Sequence, residues 1–92
     1  MEVAKVLVVD DSAAMRALFA DVLEQTRNVQ VVGTAANAAE AREQIPLLHP
    51  NVVTLDVEMP GMSGIEFLEE IMTTSPLPVV MLSRALRTGE PG

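Results

Sequence analysis

Apolar residues follow two alternating rhythms along the chain. Val6–Val9 is an unbroken apolar run rich in β-branched residues, which predicts a strand buried on both faces, as in a parallel sheet. The period then changes. Met15, Leu18, Phe19, Val22 and Leu23 fall at i, i+3, i+4, i+7 and i+8 between Ser12 and Thr26, the stripe of an amphipathic helix. Val29–Ala36 predicts a second strand. Asn37 with Glu40 has capping-box spacing and opens a second helix, expected to end near Ile45 because Pro46 disfavours helix in the residue before it. Val52–Leu55 predicts a third strand, ending in Asp56. EMPGMSG, residues 58–64, is turn chemistry, and Ser63 with Glu66 forms a further capping box. The third helix it opens carries Ile65, Leu68, Ile71 and Met72. SPLP at 75–78 breaks the chain, and Val79–Leu82 predicts a fourth strand ending in Ser83. The remainder, RALRTGEPG, is a tail of turn formers.

The order is βαβαβαβ. Such alternation argues for an α/β fold, a doubly wound parallel sheet with helices on both faces and right-handed crossovers. In the flavodoxin-like strand order 2-1-3-4, strands one, three and four lie side by side. The division expected is a folded unit over 1–83 and a tail over 84–92.

Composition narrows the function. With 92 residues, 49% hydrophobic and 21% charged, the chain suits one small globular domain and is too apolar to stay disordered. It has no cysteine and a single histidine, His49, so disulfides, thiolate metal sites and multi-histidine sites are excluded. Net charge is −7, and Phe19 and Phe67 are the only aromatics. Nucleic acid and anionic membranes are poor partners for such a surface, and there are no base-stacking platforms. No apolar run reaches the ~20 residues that cross a bilayer, and the N-terminus lacks a signal-peptide layout. A soluble cytoplasmic protein is expected.

Three of the four apolar runs end in polar residues on one side: Asp10-Asp11, Asp56 and Ser83. Parallel strands bring these to one sheet edge, where α/β folds bind ligands. Two charges ~4 Å apart at an effective dielectric of ~20 repel by about 4 kcal/mol, so the trio needs a retained proton or a cation. With oxygen ligands alone, Mg²⁺ suits best. A carboxylate beside Mg²⁺ is a phosphoryl-transfer arrangement, the oxygen attacking in line to give an aspartyl phosphate. Asp10-Asp11 is also a helix N-cap pattern, and the two roles are compatible.

VLVVDDS, TLDVEMPGMSG and PVVMLS together resemble the receiver domain of bacterial two-component response regulators (CheY-like). The resemblance implies that Asp56 is the phosphoacceptor and that Asp10 and Asp11 hold Mg²⁺. It implies further that the Glu58 backbone carbonyl completes the metal shell and that the Ser83 hydroxyl senses the phosphate, with a histidine kinase as donor. TLDVEMPGMSGIEFLEEIM, PLPVVMLS and SRALRTGE are most similar to the receiver of chemotaxis protein-glutamate methylesterases (CheB-like). No G-x-S-x-G serine elbow occurs in the chain. A complete receiver has a further helix, strand and helix, and a lysine on the fifth strand. Here the pattern stops after the fourth strand, so 1–83 is expected to be a partial receiver, and the only lysine is Lys5.

Two other functions compete. An aspartate-nucleophile phosphohydrolase would need Asp-x-Asp in one loop and a later lysine, and the sequence has neither. A degenerate receiver would serve only for binding or dimerisation. An unpaired apolar VVML edge invites another strand. Self-association through that edge is therefore expected, and light scattering at rising concentration checks it: a clean monomer at high concentration contradicts the expectation.

Overall fold

Among the described residues seven elements alternate: β1 (Ala4–Val9), α1 (Ala13–Glu24), β2 (Val29–Ala35), α2 (Ala38–Leu48), β3 (Val52–Asp56), α3 (Gly64–Thr74) and β4 (Val79–Leu82). The structure, a computed structural model, describes residues 3–59 and 61–82. Pro60, Ser83 and the tail at 84–92 lie outside the described residues. All strand pairings are parallel, in one sheet ordered β2-β1-β3-β4. The order reverses between β1 and β3, the crevice where such sheets carry their ligands.

Right-handed crossovers put α2 and α3 on one face and α1 on the other. The core lies on the first of these. Leu7 and Val9 of β1 and Val53 and Leu55 of β3 pack with Ala38, Ala41 and Ile45 of α2 and with Phe67 and Ile71 of α3. Val6 and Val8 alternate to the opposite face and are also buried. These strands are therefore buried on both sides, as their unbroken apolar runs predict. The α1 stripe is looser: the helix has no buried residue, and Leu18 and Val22 are each 52% exposed. On β4, Val80 is 50% exposed, and β4 is an edge of the sheet among the described residues, where the expected self-association would add a strand. Among the described residues, no helix is long and apolar enough to cross a membrane.

The Ser63–Glu66 box forms as the sequence predicts, whereas α1 is capped by Ser12 rather than by the acidic pair, and Glu40 accepts the Ala36 N–H at 2.8 Å instead of closing a box on Asn37. Ser12, Asn37 and Ser63 each accept a backbone N–H three residues on, and at Ser63 the Glu66 side chain completes the box by accepting the Ser63 N–H at 3.1 Å. Boundaries differ in several places. β1 begins two residues before Val6, β2 ends at Ala35, and α1 spans 13–24 rather than 12–26. α2 runs past Ile45 to Leu48 with Pro46 inside it. A proline in the last turn forfeits only one intrahelical bond, and the helix closes normally, with the His49 N–H on the Ile45 carbonyl at 3.0 Å and His49 left-handed at φ 50°. The buried face of α3 is Gly64, Phe67 and Ile71, whereas Ile65 and Met72, expected in the stripe, are exposed. The i, i+3, i+7 set won because it carries the ring of Phe67 into the core.

α2 and α3 are tied at the surface by a two-pronged ion pair. Arg42 Nε donates to Glu70 Oε2 at 2.6 Å and its Nη2 to Oε1 at 2.9 Å, with the guanidinium 5.9 Å from the Phe67 ring centre. The Arg42 hydrogen bonds hold the Glu70 carboxyl below its ordinary value, partly against its own desolvation. A depressed carboxylate stabilises the fold at neutral pH, and that contribution is lost as pH falls through the depressed value. Glu70→Gln is therefore expected to lower the melting temperature modestly at neutral pH. The gap from the parent should close in acid and narrow in high salt, as paired thermal melts across pH and ionic strength check.

Candidate functional site

The site is built by strand register. Val9 on β1 pairs with Leu55 on β3, so the next residue on each strand, Asp10 and Asp56, emerges side by side at the carboxyl edge. On the far side of β3, Asp56 pairs with Leu82, and the Val57 N–H donates to the Leu82 carbonyl at 2.9 Å. On the near side, the Asp10 N–H donates to the Ala35 carbonyl at the end of β2, at 3.0 Å. All four strand ends thus meet around the two aspartates.

Asp11 completes a cluster. One carboxylate oxygen from each of Asp10, Asp11 and Asp56 lies within 4.8 Å of the others. Asp10 and Asp56 are buried, at 4% and 2% exposure, while Asp11 is exposed and opens the cluster to solvent. Local backbone donors orient the two buried groups. The Ser12 N–H donates to Asp10 Oδ1 at 2.9 Å, and the Glu58 N–H donates to Asp56 Oδ1 at 3.0 Å. Ser12 also caps α1, so the positive end of that helix dipole faces the cluster. Such a donor set consists wholly of hard oxygen atoms, with two or three charges to neutralise. That fits Mg²⁺, which takes one or two carboxylates and keeps waters, and does not fit soft metals.

The sequence-predicted residues divide cleanly. Asp10, Asp11 and Asp56 come together. Glu58 lies beside them with an exposed side chain, joined to Asp56 through its backbone. Ser83 lies outside the described residues, although β4 delivers the chain to the same edge through Leu82. Lys5 sits at the opposite end of β1, five residues before Asp10, or roughly 17 Å along a strand. Met59 is buried in the core and Met62 packs against it, so the two methionines of the loop anchor it from beneath.

Two residues near the site escape a motif reading. Arg16 donates from Nη1 to the Asp10 backbone carbonyl at 2.8 Å. Its signal was a basic residue beside the apolar stripe of the first helix, one turn past the acidic pair. Gly64, first residue of α3, lies directly on the backbone at the end of β3, and its N–H donates to the Val57 carbonyl at 2.8 Å. A Cβ there would strike the Asp56 carbonyl oxygen and come within 2.7 Å of Val57 Cα. Sequence showed this glycine only as turn chemistry.

A family model described as response regulator receiver domain matches residues 6–89. A protein-glutamate methylesterase/protein-glutamine glutaminase of Agrobacterium fabrum is 56% identical over 86 residues, covering 94% of this chain and 24% of the relative. The Geobacillus kaustophilus protein of the same description is 53% identical over 89 residues, covering 97% and 26%. Among solved structures, the response regulator domain of Thermotoga maritima CheB superposes with a TM-score of 0.84 at 45% identity, covering 89% of this chain and 61% of that one. The isolated REC domain of RcsB from Salmonella enterica serovar Typhimurium, determined with the phosphomimetic BeF3-, superposes with a TM-score of 0.84 at 27% identity, covering 89% and 62%. The chain spans about a quarter of the length of the curated relatives it matches.

The Gly64 contact yields a prediction. Backbone atoms cannot rotate away from an added methyl, so Gly64→Ala must push α3 off the end of β3. It is expected to cost about 3 kcal/mol in denaturant unfolding, at the upper end for overpacking. It should also shift the Asp56 and Val57 amide resonances more than those of β2.

Proposed function

The chain belongs to the response regulator receiver domain family, and from that premise we propose that it is a phosphoacceptor switch, taking a phosphoryl group from a histidine kinase onto Asp56 with Mg²⁺. One observation carries the reading: the three carboxylates that converge within 4.8 Å at the ends of β1 and β3, two of them buried. Mg²⁺, when bound, neutralises the cluster and the oxygens of the incoming phosphoryl group. Asp10, Asp11, Asp56 and the Glu58 backbone carbonyl are the ligands we assign to it. Asp56 Oδ1 is steadied by the Glu58 N–H.

The transfer is an in-line displacement. An Asp56 oxygen forms a bond to phosphorus as the bond from phosphorus to the donor imidazole nitrogen breaks. The bonding pair leaves with the imidazole, which takes a proton from solvent. The product is an aspartyl phosphate carrying about −1.5 to −2 charge near pH 7, enough to reorder a neighbouring loop. We assign the Ser83 hydroxyl to turn toward it. The curated relatives support a place in a protein-glutamate methylesterase, with this chain as its regulatory part; a cytoplasmic location belongs to the same proposal.

Incubation with Mg²⁺ and acetyl phosphate tests the reading by mass spectrometry. A phosphate-sized mass gain that requires Mg²⁺ and disappears in Asp56→Asn is expected. Turnover of varied phosphomonoesters would instead mark a phosphohydrolase, and neither labelling nor turnover would mark a binding module.

A further inference from the structure

Three of the bonds that hold Asp10 differ in kind. Its N–H is fixed by the Ala35 carbonyl and its Oδ1 by the Ser12 N–H, both backbone partners that survive any change of side chain. Its carbonyl is fixed by the Arg16 guanidinium at 2.8 Å, six residues on and part-buried. This bond, unlike those two, depends on the identity of its partner's side chain.

The bond matters because of how α1 is seated. α2 puts Ala38, Ala41 and Ile45 into the core and α3 Phe67 and Ile71, whereas α1 has no buried residue. Its side chains lie half-exposed along the sheet, so a polar bond between α1 and β1 adds a fixed point that a buried side chain does not supply. Arg16 Nη1 joins the first turns of α1 to the end of β1, and the loop so closed contains Asp11 and Ser12. Fixing both ends of that loop fixes where the exposed Asp11 carboxylate stands relative to the buried Asp10.

We propose that Arg16 is a positioning residue for the acidic cluster: through its bond to the Asp10 carbonyl it holds the loop at residues 10–12 in the shape that presents Asp10 and Asp11 to a divalent cation. The proposal rests on the phosphoacceptor reading of that cluster. A second role for the same residue makes the opposite prediction. A positive charge near three carboxylates competes with a cation, so if charge were its only effect, removing Arg16 would tighten Mg²⁺ binding. Loss of loop order weakens it, as loss of groups that orient metal ligands does.

The test is a Mg²⁺ titration of the full 92-residue chain, followed by the amide resonances of Asp11, Ser12 and Glu58. The dissociation constant is read well below the melt, so a fall in global stability alone would not move it. Arg16→Met, which keeps the apolar stem and removes the donors, is expected to weaken Mg²⁺ by about tenfold. Arg16→Lys, with one point donor in place of a fork, is expected to fall between the parent and Arg16→Met. Should Arg16→Met not fold, Arg16→Gln, neutral and helix-compatible, is expected to show the same loss. Unchanged or tighter binding in Arg16→Met or Arg16→Gln overturns the proposal. If that happens while Asp10→Asn abolishes binding, only the role of Arg16 fails. If the parent itself gives no saturable shifts and Asp10→Asn behaves identically, the reading of the cluster fails with it.

Discussion

The pairing of Val9 with Leu55 in the β1–β3 ladder decides where the chemistry sits, because each residue is followed by an aspartate whose position it fixes. Strand side chains alternate faces with a period of two, so a slip of β1 by one residue against β3 would turn Leu7 and Val9 away from Val53 and Leu55 and from the helices packed on them. The apolar runs thus lock the register, and the register brings two carboxylates together that would otherwise repel. The cost of bringing like charges together is borne by the burial of those four side chains and of the α2 and α3 residues packed on them.

What surrounds the aspartates follows from that cost. Each buried carboxylate accepts a backbone N–H two residues ahead, from Ser12 and from Glu58, so β1 and β3 end in the same small turn. Ser12 then caps α1, and Ser63 caps α3 after the loop that follows Asp56. Gly64 lets α3 start against the backbone of Asp56 and Val57, where any side chain would collide. α1 and α3 are therefore joined to the site by their first turns, and α3 meets the end of β3 through the Gly64 backbone.

Most of the fold was legible from periodicity, since Val6–Val9, Val52–Leu55 and Val79–Leu82 are short β-branched runs and the caps at Asn37 and Ser63 mark helix starts. The places that misled share a cause, which is that tertiary contact overrides local preference. Pro46 reads as a stop, yet in the final turn it forfeits a single bond. Ile65 and Met72 fit a helical stripe as well as Phe67 does, and only packing on β3 selects the ring. At the site, Asp10, Asp11 and Asp56 were legible because strand ends of a parallel sheet must meet at one edge. Arg16 and Gly64 were not, since the first acts through a backbone carbonyl and the second through the absence of a side chain, and neither leaves a mark in residue spacing.

The central claim is that the three carboxylates form one cation-dependent site. Equilibrium unfolding with and without Mg²⁺, at matched ionic strength, tests it most directly. A site formed only in the folded chain predicts a gain of about 1.4 kcal/mol when Mg²⁺ is at ten times its dissociation constant, and none when Asp10 and Asp11 are both changed to Asn. Equal stability of the parent in Mg²⁺ and in monovalent salt, or a Mg²⁺ gain that persists without the two aspartates, would contradict it.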